Sequence, residues 1–168
     1  IIIIFDNNVL HPKAFTILIT CFIFSNLLPI ITLLFLQKKG VISDLDASIR
    51  EERIMPLFLG VVFAIFGYLL LHIQEAGMLV RGLMFCTITN TLVIIIITRY
   101  WKISIHTMGV SGLLSILWIH SKEYLFIMFI ILFFVAYSRV ILKAHNIPQV
   151  TTGSLLGLIL TLIQIHFL

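Results

Sequence analysis

Two histidines, several arginines and lysines, and a few hydroxyls interrupt an otherwise apolar chain, and together their types suit the chemistry of a phosphate group. The densest set is Ser138 and Arg139 followed by His145 and Gln149, between two strongly apolar runs. Lys102, Ser104 and His106 make a second set, Arg50 and Arg53 a third, and Lys143 adds a cation to the first. Arginine forks match phosphate oxygens two at a time, and hydroxyl and backbone N–H groups fill the remaining acceptor positions. Ser104 falls where a helix should begin, so the free N–H groups and dipole there favour an anion. Two histidines around a phosphate allow covalent catalysis. One attacks phosphorus to give a phosphohistidine, and the other protonates the leaving alkoxide. The cations neutralise the phosphate charge, so this route calls for no metal and no cofactor.

These residues have to be positioned by elements that belong in a membrane. Of the 168 residues, 61% are hydrophobic and 11% charged, whereas a soluble domain is nearer about 45–50% apolar and about 25% charged. Mean hydropathy is +1.19. The chain therefore reads as an all-α integral membrane bundle, because stretches such as 92–98 and 124–135 lack the alternation of a barrel strand. At about 20 residues per span, there is room for roughly six helices and no separate soluble domain. A single transmembrane domain over residues 1–168 is expected, with spans at 14–36, 56–72, 78–98, 104–119, 124–137 and 150–168.

Several details follow from the same pattern. Residues 1–13 read as an interfacial lead-in, with Pro12 near the first turn of a helix. Pro29 should kink the first span, and Gly109, Ser111 and Gly112 should let the fourth approach a neighbour closely. Arg81 and Asn90 read as interhelical hydrogen-bonders, and Cys21 and Cys86 as core residues. Turns fall at 74–77 and 120–123. Counting crossings places the 37–55 loop, the 99–106 segment and the 138–149 segment on one membrane face. The positive-inside rule would make that face cytoplasmic, but half of its cations are the ones assigned to phosphate, so the side stays open.

The spacing Ser138-Arg139-x5-His145-x3-Gln149 resembles the third signature of the type 2 phosphatidic acid phosphatases, a superfamily of six-helix membrane lipid phosphatases, which reads Ser-Arg-x5-His-x3-Asp. The following Val150-x-x-Gly153-x-x-x-Gly157 is similar to the helix that continues it, and Ile103-Ser104-Ile105-His106 resembles the second signature, Pro-Ser-Gly-His, keeping Ser and His. The resemblance implies that His145 is the nucleophile and His106 the general acid. Arg139, Ser104 and the backbone near His106 would hold the phosphoryl oxygens, and Ser138 belongs to the motif. It further implies a multi-pass protein, of bacterial inner-membrane type, acting on a phosphomonoester or diphosphate of a lipid: phosphatidate, phosphatidylglycerophosphate, a prenyl diphosphate or a lipid A type. The first signature, Lys-x6-Arg-Pro, is not present. Arg50-x-x-Arg53-x-x-Pro56 stands in its place, with Asp46 at the position of the lysine. Arg50, Arg53 or Lys102 would then supply the missing cations. Gln149 stands where the family has an Asp. Its oxygen can still accept from the imidazole N–H and fix the tautomer, but it lacks the charge that stabilises an imidazolium.

Other readings use the same residues. A neutral Gln149 and the lost first signature also suit a catalytically weak lipid-phosphate-binding or structural membrane protein on the same scaffold. Asp44-Leu45-Asp46 invites comparison with metal-dependent prenyl transferases, although no second acidic cluster accompanies it. Arg50 and Arg53 beside Glu51 and Glu52 read equally as a solvated loop with internal ion pairs. His11, His72, His120 and His166 are given no chemistry. The expected partners are a lipid phosphate and the membrane, with no nucleic acid, and no oligomeric state is implied.

Overall fold

The computed structural model describes residues 5–6, 9–10, 13–120 and 122–167. His11, Pro12 and Ser121, and with Pro12 the expected start of the first helix, lie outside the described residues, as does Leu168. Beyond a minimal antiparallel pairing of Phe5–Asp6 with Val9–Leu10, the described regular structure is helical. Among the described residues, five helices are long and apolar enough to cross a membrane, and a sixth, Ile105–Ile119, is a shorter apolar one. The chain divides into two compact units, Ile1–Ile95 and Ile96–Leu168.

In the first unit, α1 (Ala14–Phe22) passes through a π-helical turn, Ile23–Leu27, into α2 (Leu28–Lys38). The π-helical turn lies immediately before Pro29, where a kink is expected. The Leu28 N–H donates to the Ile23 carbonyl, one residue further back than in an α-helix, so the proline's missing donor falls beside a widened turn. A short 3-10 turn, Glu51–Arg53, leads into α3 (Ile54–Ile73), and α4 (Met78–Thr98) follows. Ile17, Ala64, Leu71, Ala76, Val80 and Met84 form the core of this unit. The π turn lies hard against α3, where a Cβ on Gly67 would sit 2.8 Å from the Phe24 Cβ. Arg81 Nη1 donates to His72 Nδ1 at 2.8 Å and ties α4 to the end of α3, because an arginine can only donate and the ring nitrogen must accept. Gln74 Nε2 donates to Thr20 Oγ1 at 2.9 Å, and Lys13 pairs with Glu75 at 3.2 Å.

In the second unit, α5 (Ile105–His120) is followed by a 3-10 turn, Lys122–Tyr124, then α6 (Leu125–Ile141) and α7 (Ile147–His166). α5 and α7 run parallel along a seam of small residues. Thr107 Oγ1 donates to the Val150 carbonyl at 3.1 Å near one end, and Ser115 Oγ donates to the Leu158 carbonyl at 2.9 Å further along. Ser104, Thr107, Ser111 and Ser115 are fully buried there, opposite Gly153, Gly157 and Thr161. α6 has no buried residue and exposes Phe126, Phe129, Phe133 and Phe134, as a lipid-facing helix does. Two boundaries differ from the hydropathy reading by three residues or more. α6 runs on past Tyr137 to Ile141, so Ser138 and Arg139 sit in its last turn rather than in a connecting segment. α7 starts at Ile147 rather than Val150, which brings Gln149 into its first turn.

Candidate functional site

The connection between α6 and α7 is short and folds back on itself. Leu142 N–H donates to the Ser138 carbonyl, Lys143 N–H to that of Val140, and His145 N–H to that of Arg139, all at 3.0–3.1 Å. Lys143 takes a left-handed conformation, φ +53°, in the place after a helix where glycine is usual. This turn carries His145 from the end of α6 to the start of α7 and buries it to 7% exposure. The Ser138 hydroxyl donates to its own helix, at the Val135 carbonyl, 2.8 Å away. Arg139 lies half-buried in the same turn.

Gln149 sets the state of His145. Its Oε1 lies 3.2 Å from His145 Nδ1 and also accepts the Asn146 backbone N–H at 3.2 Å. Only oxygen can accept from that N–H, so Oε1 faces both groups, and Nδ1 must be the protonated ring nitrogen. In the neutral ring Nε2 then carries the lone pair. Asn146 Oδ1 accepts in turn from the Gln149 backbone N–H at 3.0 Å, completing a reciprocal capping box at the start of α7. The resemblance drew attention to Gln149 but not to Asn146. The signal was nonetheless in the sequence, as Asn-x-x-Gln ahead of an apolar run.

The second set meets this one. Ser104 N–H donates to the Gln149 carbonyl at 3.3 Å, and Ser104 Oγ accepts the Thr107 N–H at 3.4 Å, so Ser104 caps α5 just before its first residue. Ser104 is fully buried. His106 stands exposed in the first turn of α5, and half-buried Lys102 lies in the irregular lead-in to it. The parallel course of α5 and α7 puts both helix N-termini at one end of the pair, with Ser104, His106, His145, Gln149 and the last turn of α6 around them. Two positive dipole ends side by side favour an anion more than one does.

The third set, in the first unit, is tied into its own loop. Arg53 is buried to 4% exposure. Its Nε donates to the Ala47 carbonyl at 2.7 Å and its Nη2 to that of Asp46 at 3.5 Å. Arg50 makes a forked pair with Glu51 at 2.8 and 3.0 Å. Glu52 accepts from both the backbone N–H and the hydroxyl of Ser43, and the Asp44 carboxylate accepts the Ser48 N–H. The Arg50–Glu51 pair fits the alternative of a solvated loop with internal ion pairs, whereas Arg53, buried against backbone carbonyls, does not lie in solvent. Among the described residues, no group of three or more His, Cys, Asp or Glu side chains is arranged to hold a metal ion. No protein-family model, curated protein or solved structure matches the chain.

Proposed function

We propose that the chain is a multi-pass membrane phosphatase, of bacterial inner-membrane type, that hydrolyses a phosphomonoester or diphosphate of a lipid through a phosphohistidine on His145. One observation carries this reading. His145 Nδ1 is bonded to Gln149 Oε1 at 3.2 Å, and the carbonyl of the same Gln149 holds the N-terminus of the helix bearing Ser104 and His106. In the first step the Nε2 lone pair attacks the terminal phosphorus, an N–P bond forms and the bond to the leaving oxygen breaks, expelling an alkoxide from a monoester or a lipid monophosphate from a diphosphate. His106 gives that oxygen a proton. In the second step His106 takes a proton from water, the water oxygen attacks phosphorus, and the N–P bond breaks to release phosphate and restore His145. Arg139, Lys102 and the helix N-terminus capped by Ser104 would hold the phosphoryl oxygens as charge builds on them. The headgroup would sit at the membrane surface, with the acyl or prenyl tail among the helices.

Replacing His145 with Ala in the purified protein should abolish phosphate release from lipid phosphates and its inhibition by vanadate. Turnover that survives the change would sink the proposal. A second reading, a lipid-phosphate-binding protein with weak or no turnover, draws on the uncharged partner of His145 and on the anchoring of Arg50 and Arg53 within their own loop. Multiple turnover on any lipid phosphate in the presence of EDTA would exclude it, and would exclude a metal-dependent prenyl transferase built on Asp44 and Asp46 as well.

A further inference from the structure

We propose that Asn146 is a positioning residue for His145, acting through Gln149 to keep the imidazole proton on Nδ1 and the lone pair on Nε2. The catalytic meaning of this rests on the phosphatase reading above, whereas the tautomer itself does not. A carboxylate beside Nδ1 offers two equivalent oxygens and accepts only, so it selects the Nδ1–H form without help. A carboxamide has one oxygen and one NH2 of nearly the same shape, and half a turn about its last bond exchanges them. With NH2 toward the ring, Nδ1 would have to accept, the proton would move to Nε2, and the attacking lone pair would be gone. A glutamine in this place therefore needs a neighbour that distinguishes oxygen from nitrogen.

Asn146 is that neighbour. Its backbone N–H, 3.2 Å from Gln149 Oε1, can be satisfied by oxygen and not by NH2. Its side chain holds the arrangement closed, because Asn146 Oδ1 accepts the Gln149 N–H at 3.0 Å and pins the first turn of α7 beneath the amide. Gln149 Oε1, held by the Asn146 N–H, then reaches His145 Nδ1 at 3.2 Å. The Ser104 N–H on the Gln149 carbonyl braces that turn from the α5 side. A helix cap has thus become the device that sets the protonation of a ring outside the helix.

The test is nitrogen-15 NMR of the histidines in the full-length chain in lipid nanodiscs, at a pH where the ring is neutral, with His145 assigned by the signal lost in His145→Asn. The wild-type ring should be predominantly Nδ1–H. Asn146→Ala should raise the Nε2–H population several-fold, and Asn146→Asp, which keeps the capping oxygen, should restore the original spectrum. Gln149→Glu should hold the Nδ1–H form even together with Asn146→Ala, because a carboxylate needs no selector. A wild-type ring that is mainly Nε2–H, or an Asn146→Ala spectrum identical to wild type, would overturn the proposal. If Asn146→Ala fails to fold, Asn146→Gly, which also lacks the capping oxygen but costs an N-cap little, takes its place with the same outcomes expected. Phosphate release measured on the same samples separates the two claims. An Nδ1–H ring that shifts in Asn146→Ala, without turnover in the wild type, upholds the positioning role and defeats the phosphatase.

Discussion

Lys143 is held at φ +53°, a conformation that costs a residue with a side chain about 1–2 kcal/mol relative to glycine. Its N–H closes the turn onto the Val140 carbonyl, and the next hydrogen bond brings His145 back to Arg139, so the strain serves the placement of the histidine. Lys143→Gly should therefore stabilise the protein by about 0.5–1 kcal/mol, less than the full strain because glycine also frees the unfolded chain. Thermal unfolding in detergent would show this as a raised midpoint, and an unchanged or lowered midpoint would mean that the lysine's charge outweighs its backbone. Arg53 makes the opposite case. Its composition and position suggested a phosphate ligand, yet it is buried and bonded to the Ala47 and Asp46 carbonyls. No sequence pattern announces that fold of the loop, since it depends on Ala47 adopting φ +44°. Arg53→Met should destabilise by about 1.5–3 kcal/mol, the range for a hydrogen bond to a charged group. It should leave the KM of the folded fraction for a lipid phosphate unchanged. A large rise in KM with stability intact would return Arg53 to the site.

Among the elements, the pairing of α5 with α7 matters most, because it brings Ser104 and His106 to the start of the helix that follows His145. Hydropathy located both helices but not the face on which they meet. Gly109, Ser111 and Gly112 looked like the small-residue contact. Gly109 in fact faces open space, while Ser111 and Gly112 meet α7 as part of a longer seam from Ser104 to Ser115. The residues are all of the expected kind. Their register along the helix is set by α7, so it was not legible from α5 alone. A Cβ on Gly153 would lie 2.5 Å from the Ser104 carbonyl oxygen and 2.8 Å from Thr107 Oγ1. Gly153→Ala should therefore force the helices apart at the site end and destabilise by about 1–3 kcal/mol, with activity falling as well. Gly109→Ala is the matched control. With nothing within 4 Å of the new Cβ, it should be neutral or stabilise by up to about 1 kcal/mol through helix propensity. Equal effects of the two changes would show that the seam does not hold α5 in place.

At the scale of the molecule in its membrane, the parallel course of α5 and α7 fixes which ends share a face. α6 lies between them in sequence, so a chain that enters α5 and α7 from the same side must cross back through α6. The lead-in at Trp101–Ser104 and the turn at Leu142–Asn146 then belong to one face, and Lys122–Tyr124 to the other. The crossing count had already paired the 99–106 and 138–149 segments, because long apolar runs leave few ways to alternate. It could not supply the Ser104–Gln149 hydrogen bond that joins them. α5 is the test of this topology. With 16 residues it is ~24 Å long, against a hydrocarbon core of about 30 Å. It reaches across only if the chain before Ser104 dips below the surface, which would recess the site and leave Lys102 near headgroup depth. Single cysteines at Arg99, Lys143 and Glu123, in a chain whose Cys21 and Cys86 are replaced by Ala, can be labelled in sealed vesicles with a membrane-impermeant maleimide. Arg99→Cys and Lys143→Cys should react from the same side, and Glu123→Cys only from the other. If Glu123→Cys reacts from the side of Lys143→Cys, α6 does not span, and a site at the membrane surface between α5 and α7 would have to be given up.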